Sequence, residues 1–362
     1  MKKIAVVMAG GMGTRFWPRT TERLPKQFAY LIGDGTMIQN TVGRLRSIFD
    51  TDDIYIVTSE NYSSVVSEQL PEIVKDNIIL EPFPRNTAPC LGLTATVLSE
   101  KYPADTIMAV FPSDHVIFNM GEFYNSLETA YIAAYELSGI VTIGINPTRP
   151  ETQFGYVQIK EQRGKLGSLY DSGVRYTTTF AEKPDLATAR RFIDSGDFVW
   201  NSGIFFWRFD TFLESFTKYL PEDAANFKSL RKHIGKDSFR YNLEYIYRQQ
   251  NSISVDYAIL EKADNVLVVQ SSFSWSDLGT WDELYRLSMK DASNNVIEGD
   301  VVYHNISNCL ISSKGKLISA IGIEDLIVIE NDDALLICKR GKSESVKDLI
   351  DIMKKKNILR AI

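Results

Sequence analysis

Cysteine is scarce. Three occur in 362 residues, Cys90, Cys309 and Cys338, and no C-x-x-C pair is present. An odd, scattered set excludes a disulfide framework and a cysteine zinc site. These thiols read as small buried apolar residues of a reducing, cytoplasmic compartment. The three histidines, His115, His233 and His304, lie far apart in sequence and supply no metal cluster. No excess of positive charge is found either. The formal net charge is −6, which argues against general nucleic-acid binding. Lys354-Lys355-Lys356 is too short to be a nucleic-acid patch and reads as a solvated helix end. No stretch approaches the ~18 apolar residues of a membrane span. Lys2-Lys3 precedes an apolar run, but that run is short, and Arg15 and Arg19 follow it without an A-x-A site, so a signal peptide is a poor reading. Low-complexity segments and linkers are missing as well.

What is present begins at residue 4. Ile4-Ala5-Val6-Val7-Met8-Ala9 is an unbroken apolar run, the pattern of a buried parallel strand. Gly10, Gly11 and Gly13 follow, with Thr14, Arg15 and then Pro25-Lys26-Gln27 behind them. Glycines let the backbone turn sharply and approach a ligand without Cβ atoms in the way. Consecutive N–H groups in such a turn form an anion-binding concavity, and Arg15 and Lys26 add two cations. A strand, a glycine turn and two cations describe a triphosphate site. Two other phosphate loops are excluded. A Walker A loop ending at Gly341-Lys342-Ser343 would need glycine where Leu336 stands. A dinucleotide fingerprint starting at Gly11 would need a small residue where Phe16 stands. The bland alternative is a strand-to-helix turn with no ligand.

Apolar content of 44% and charged content of 24% are ordinary for a globular enzyme, and the length allows one large domain and a smaller one. Up to about residue 290, strand-like and helix-like segments alternate. Strands are expected at 54–57, 78–80, 106–111 and 140–144, with helices at 87–101 and 123–137. Such alternation argues for a doubly wound sheet with its ligands at the carboxyl ends of parallel strands. That rule makes Gly10–Arg15, Glu81–Thr87 and Pro112–His115 neighbours. From 291 onward the segments are short and apolar, punctuated by Asn, Asp, Gly and Ser, with a closing helix at 345–356. The expected division is a catalytic domain over 1–290 and a β-rich domain over 291–362. Phe205, Phe206 and Trp207 read as core.

The whole pattern resembles the signature of the sugar-1-phosphate nucleotidyltransferases, G-x-G-x-R-x-x-P followed by P-K. Gly-Thr-Arg-Phe-Trp-Pro and Pro-Lys-Gln-Phe are most similar to the bacterial mannose-1-phosphate guanylyltransferases. The resemblance implies a Rossmann-like, GT-A-like mixed α/β sheet. It also implies a small left-handed β-helix after residue 290, often used for self-association, hence a homodimer. Phe111-Pro112-Ser113-Asp114-His115 matches the family's F-P-S-D-H at every position. This implies that Asp114 holds Mg²⁺, although an isolated Ser-Asp is more often a turn or helix cap. Trp275-Ser276-Asp277-Leu278-Gly279-Thr280-Trp281 is similar to W-x-D-x-G-x-W and makes Asp277 the partner carboxylate. Two carboxylates plus phosphate oxygens suit Mg²⁺. The alternative is that Asp277 caps the helix that follows.

Glu81-Pro82-Phe83-Pro84-Arg85-Asn86-Thr87-Ala88-Pro89 looks like E-P-x-x-R-N-T-A-P. Guanine offers two adjacent donors, N1–H and the 2-amino group, and a carboxylate such as Glu81 can accept both. Groups near Arg85, Asn86 and Thr87 would complete the nucleotide site, and Asn86 or Thr87 is also a candidate helix cap. The sugar side is spread over three segments. Gly155 and Tyr156 belong to an F-G-Y match, Glu182 and Lys183 to F-x-E-K-P, and Asn201 to W-N-S-G. The resemblance implies that Glu182 and Asn201 meet sugar hydroxyls and that Lys183 meets the sugar phosphate. Ser254-Val255-Asp256-Tyr257-Ala258 also resembles a family segment, without a role for Asp256.

The reaction implied is transfer of GMP from GTP to mannose 1-phosphate, giving GDP-mannose and pyrophosphate, with no membrane partner. Arg15, Lys26, Asp114 and Asp277 would be its catalytic set. Three other readings compete: a related enzyme using another base or sugar, a non-catalytic regulatory subunit of the same fold, and an NAD-dependent oxidoreductase. Glu81 and the Arg85-Asn86-Thr87 segment oppose the first. Retention of Arg15, Lys26 and both aspartates opposes the second, and Phe16 the third.

Overall fold

The computed structural model describes residues 1–11 and 13–358; Met12, inside the glycine loop, and residues 359–362 lie outside the described set. The chain forms two compact units. Unit 1 comprises Met1–Gly10, Val42–Ser113 and Ile117–Trp275; unit 2 comprises Gly11–Thr41, Asp114–Val116 and Ser276–Ile362. The division runs through the glycine loop, between Gly10 and Gly11, and again between Ser113 and Asp114.

Unit 1 is built on one nine-stranded sheet. Its first strands are β1 (Lys3–Met8), β2 (Ile54–Ser59), β3 (Ile78–Glu81) and β4 (Ile107–Pro112). The two-residue β5 (Val116–Ile117) follows. Then come β6 (Ile140–Ile145), β7 (Gly155–Lys160), β8 (Val174–Glu182), β9 (Phe198–Arg208) and β10 (Val266–Ser271); β5 and the short β11 (Trp275–Ser276) are not part of this sheet. The sheet order is β3-β2-β1-β4-β9-β6-β10-β8-β7. β1 pairs in parallel with β2 and β4, bringing Ala5 opposite both Ile54 and Ala109. These strands are apolar on both faces because helices cover both, as in parallel sheets generally.

The sheet is mixed, and the antiparallel part begins in its middle. β9 runs antiparallel to both β4 and β6. Phe205, Phe206 and Trp207 on β9 are core, at 2%, 0% and 0% exposure. The expected strands and helices all form, with small shifts: the helices run Thr87–Leu98 and Met120–Leu137.

Unit 2 carries the later strands β12 (Val296–Glu298), β13 (Val301–His304), β14 (Leu310–Ser312), β15 (Ile318–Ile321), β16 (Leu326–Glu330) and β17 (Leu335–Lys339). β12, β14 and β16 stack in parallel in one sheet, while β13 and β15 stack in parallel in another. Alternate strands therefore go to alternate faces of a coil, whose inside holds Ile306, Cys309, Ile311, Ala320 and Val328. β17 turns back antiparallel and ends the stack. The closing helix is Val346–Lys355. Cys90 and Cys309 are buried as expected. Cys338 is only partly so, because β17 is an edge strand with one face uncovered.

Candidate functional site

The glycine loop is pinned by side chains from the segment that follows it. Thr20 Oγ1 donates to the Gly13 carbonyl at 2.8 Å, and Gln27 Nε2 to the Gly11 carbonyl at 3.2 Å. Gly13 sits at φ +48, the left-handed region, and Thr14–Phe16 then makes one 3₁₀ turn. The two motif tryptophans explain why this segment keeps company with the one around Asp277. Trp281 is fully buried, meets Phe16 edge-on at 5.0 Å between ring centres, and donates its indole N–H to the Trp17 carbonyl at 3.0 Å.

Within unit 2 these segments line a cavity of about 360 Å³, which gathers Gly13, Thr14, Arg15, Lys26, Asp114, His115, Asp277 and Lys347. Lys26, only 7% exposed, donates to Asp114 Oδ2 at 2.7 Å and also to the Asp277 carbonyl. Burial alone would raise the Asp114 carboxyl, but Lys26 and His115 beside it outweigh that and hold it below the ordinary carboxylate value. Asp277 is not the helix cap. That place belongs to Thr280, whose Oγ1 accepts from the Glu283 N–H at 3.3 Å. The strained residue of this turn is Leu278, a buried non-glycine at φ +47. His115, the last residue of the F-P-S-D-H match, and Lys347 also line the cavity, and neither has a role from sequence. Lys347 comes from the closing helix, where no motif marks it.

Two carboxylates and two lysines on one cavity are a fit for Mg²⁺ held with phosphate. The two carboxylates offer oxygen donors, with His115 beside Asp114, and no group of three His, Cys, Asp or Glu that could hold a metal alone occurs among the described residues. Mg²⁺ usually takes one or two carboxylates and completes its shell with substrate phosphates and water.

The remaining expected site residues lie in unit 1, in two clusters. In the first, Glu81 is 4% exposed and Oε1 accepts the Tyr247 hydroxyl. Burial pushes its carboxyl up to about 7, against the hydrogen bonds from Tyr247 and Cys90. Its other oxygen faces Gly10: a Cβ there would lie 3.8 Å from Oε2. One of the two acceptors expected for a base is thus already engaged by Tyr247, a residue that sequence reasoning missed. Asn86 caps the helix Thr87–Leu98, its side chain accepting from the Thr87 N–H at 2.8 Å. Arg85 lies over Phe83 and donates to the Arg248 carbonyl at 3.1 Å.

The second cluster joins the three sugar segments. β7 and β8 set Gly155 opposite Glu182, and β7 and β9 set Tyr156 opposite Trp200, one residue from Asn201. A Cβ on Gly155 would meet Glu182 Oε2 at 2.5 Å and Asn201 Cβ at 3.3 Å, so a larger residue there would push the Glu182 carboxylate aside. Lys183, a non-glycine at φ +50, donates to Glu182 Oε1 at 2.9 Å. Asn201 donates its Nδ2 to Asp256 Oδ1 at 3.0 Å, which brings Asp256 into the cluster. The Tyr156 hydroxyl is turned away, accepting from the Glu151 N–H at 2.9 Å.

Comparison with known proteins bears on the family and the fold. Residues 4–294 match the nucleotidyl transferase family model, and residues 299–353 match a mannose-phosphate isomerase/GMP-like β-helix domain. A mannose-1-phosphate guanylyltransferase of Escherichia coli is 37% identical over 354 residues, 96% of this chain and 75% of that protein. The alginate biosynthesis protein AlgA of Pseudomonas fluorescens is 36% identical over 355 residues, 97% of this chain and 71% of that protein. A crystal structure from Thermus thermophilus, described as a mannose-1-phosphate geranyltransferase, superposes with a TM-score of 0.87 at 29% identity, covering 98% of this chain and all of that one. With residues 4–294 matched by the one model and 299–353 by the other, the chain belongs to the nucleotidyl transferases, here followed by a β-helix domain.

Proposed function

We propose that this nucleotidyltransferase moves GMP from GTP to mannose 1-phosphate, releasing pyrophosphate and forming GDP-mannose. The observation that carries the phosphate chemistry is the single cavity shared by Arg15, Lys26, Asp114 and Asp277. The choice of base and sugar rests on the relatives named mannose-1-phosphate guanylyltransferase and on the clusters of unit 1.

Mannose 1-phosphate is largely a dianion near neutral pH, so the reaction needs no general base. Its phosphate oxygen attacks the α-phosphorus of GTP in line. The new O–P bond forms as the bond to the β-phosphate bridging oxygen breaks, and pyrophosphate carries the charge away. The obstacle is anion meeting anion, so catalysis is positioning and charge neutralisation. Arg15 and the glycine-loop N–H groups would take the charge that builds on pyrophosphate. Lys26 would meet the α-phosphate region, with Lys347 as a further cation at the same cavity. Lys183 would align the nucleophile, while Glu182 and Asn201 serve the sugar. Glu81, backed by Tyr247, would accept from the guanine edge. Asp114 and Asp277 would hold Mg²⁺, which when bound supplies further neutralisation of phosphate charge.

A homodimer is part of the proposal. Ile321, Leu335 and Ile337 of the coil are 73%, 53% and 60% exposed, an apolar face that a second copy would cover. Three unpaired cysteines fit a reducing, cytoplasmic setting.

The test is pyrophosphate release with mannose 1-phosphate and Mg²⁺, run in parallel with GTP, ATP, UTP and dTTP. Release with GTP alone supports the whole reading. Release with another nucleotide overturns the assignment of Glu81. No release with any of them, despite GTP binding, turns the reading to a regulatory subunit.

A further inference from the structure

Asp256 stands outside the mechanism just given, yet its surroundings are specific. It opens a five-residue π-helix, Asp256–Leu260, in which the Glu261 N–H reaches back to the Asp256 carbonyl at 3.0 Å. Such wide turns are rare and concentrate where a side chain has to be aimed. Asn201 aims this one. Its Oδ1 accepts from Thr142 Oγ1 at 2.8 Å and from the Gly203 N–H at 3.2 Å. With its oxygen committed twice, the amide can present only N–H to Asp256 Oδ1. The pairing of β6 with β9 slips register at this point, between Thr142 and Gly144, as β-bulges beside functional sites do.

Asp256 also shares its space with a second acid. The groups facing it are Glu182, Lys183 and Asn201; burial and the Glu182 carboxylate push Asp256 up to about 7, against Lys183 and Asn201. Two acids around one lysine are unfavourable for folding, and an apolar or amide side chain would pack there at less cost. Asn201 is the only side chain hydrogen-bonded to Asp256 among the described residues, so acceptor capacity remains. A pair of acceptors flanked by one cation is complementary to a polyhydroxy ring that carries a phosphate.

We propose that Asp256 is a sugar-binding residue, accepting hydrogen bonds from ring hydroxyls of the sugar 1-phosphate beside Glu182, with Asn201 as the residue that orients it. This rests on the guanylyltransferase reading above. It moves Asn201 from a direct sugar contact to a positioning role, and it assigns the Ser254–Ala258 segment that the sequence left without one.

The experiment is calorimetric titration of GDP and of GDP-mannose into the full chain, as wild type, Asp256→Ala and Asp256→Asn. Asp256→Ala is expected to bind GDP-mannose about 10- to 100-fold more weakly and GDP as before. Asp256→Asn keeps an acceptor toward Asn201 and the side-chain shape, so it should fold and recover part of the loss. Unchanged GDP-mannose affinity in both variants overturns the proposal. So does an equal loss for GDP and GDP-mannose, which marks a purely structural residue. The guanylyltransferase reading fails separately, if the wild type releases no pyrophosphate from GTP and mannose 1-phosphate.

Discussion

A Cβ placed on Gly13 would stand 2.4 Å from the Cβ of Lys26 and 3.0 Å from its backbone nitrogen. The loop and the lysine are therefore fitted to each other through the absence of one side chain. Gly13→Ala should displace Lys26 and add backbone strain of about 1–3 kcal/mol at this positive φ. The expected outcome is a melting point lowered by several degrees and a kcat/KM reduced on the order of 10²-fold. An active, fully stable Gly13→Ala enzyme would contradict the arrangement.

Lys26 and Asp114 form an ion pair in which the lysine is almost wholly buried. Removing either partner takes away the main opposite charge beside the other. Lys26→Ala and Asp114→Asn should each cost on the order of 10²–10³ in kcat. The double variant should lose much less than the product of the two, because the residues act as a unit. Steady-state kinetics of the three proteins, with GTP saturating, decides this.

Thr280 and Asp277 separate stability from chemistry. Thr280→Ala removes a helix cap and should cost about 1 kcal/mol of stability with kcat little changed. Asp277→Asn should do the reverse, abolishing most turnover and weakening Mg²⁺-dependent GTP binding with little change in denaturation midpoint. Urea unfolding beside an activity assay reads both, and a shared stability loss would return Asp277 to a structural role.

Glu81 makes folding sensitive to pH. Its folded pKa, about 7, lies above the ordinary 4.5, so the folded state holds the proton through that interval. Stability from this group is full below pH 4.5 and is lost as pH rises through 7. Glu81→Gln removes the penalty, on the order of 3 kcal/mol at pH 8, while keeping an acceptor for Tyr247. The variant should therefore gain on the wild type between pH 5 and pH 8 in thermal melts. It should also lose part of its preference for GTP over ATP.

Much of this was legible in the chain because motif residues carry their own chemistry. Arg15 and Lys26 stand out as cations beside the glycine turn, Asp114 and Asp277 only through the family resemblance, and all four line one cavity. The residues that escaped are those reached only through folding. Tyr247 comes to Glu81 across 166 positions from an amphipathic helix that looks like any other. Lys347 sits on the closing helix among several lysines. Asp256 could be seen as part of a family-like segment, but the role proposed for it depends on the Asn201 amide that Thr142 and Gly203 orient, which no sequence pattern encodes. The antiparallel β9 was equally hidden. Its aromatic run reads as core, and core it is, but apolarity says nothing of strand direction.

The helix capped by Asn86 has one more attachment. Thr87 Oγ1 accepts from the Val255 N–H at 2.8 Å, and the Ala88 N–H donates to the Ile253 carbonyl at 3.1 Å. The segment expected to read the base is thereby stitched to the residue just before Asp256. In thermodynamic terms the two recognition events share a part, and coupling between ligands is reciprocal. A chemist who re-engineers this chain for a different nucleotide should find the affinity for the sugar drifting as well, through a residue never touched.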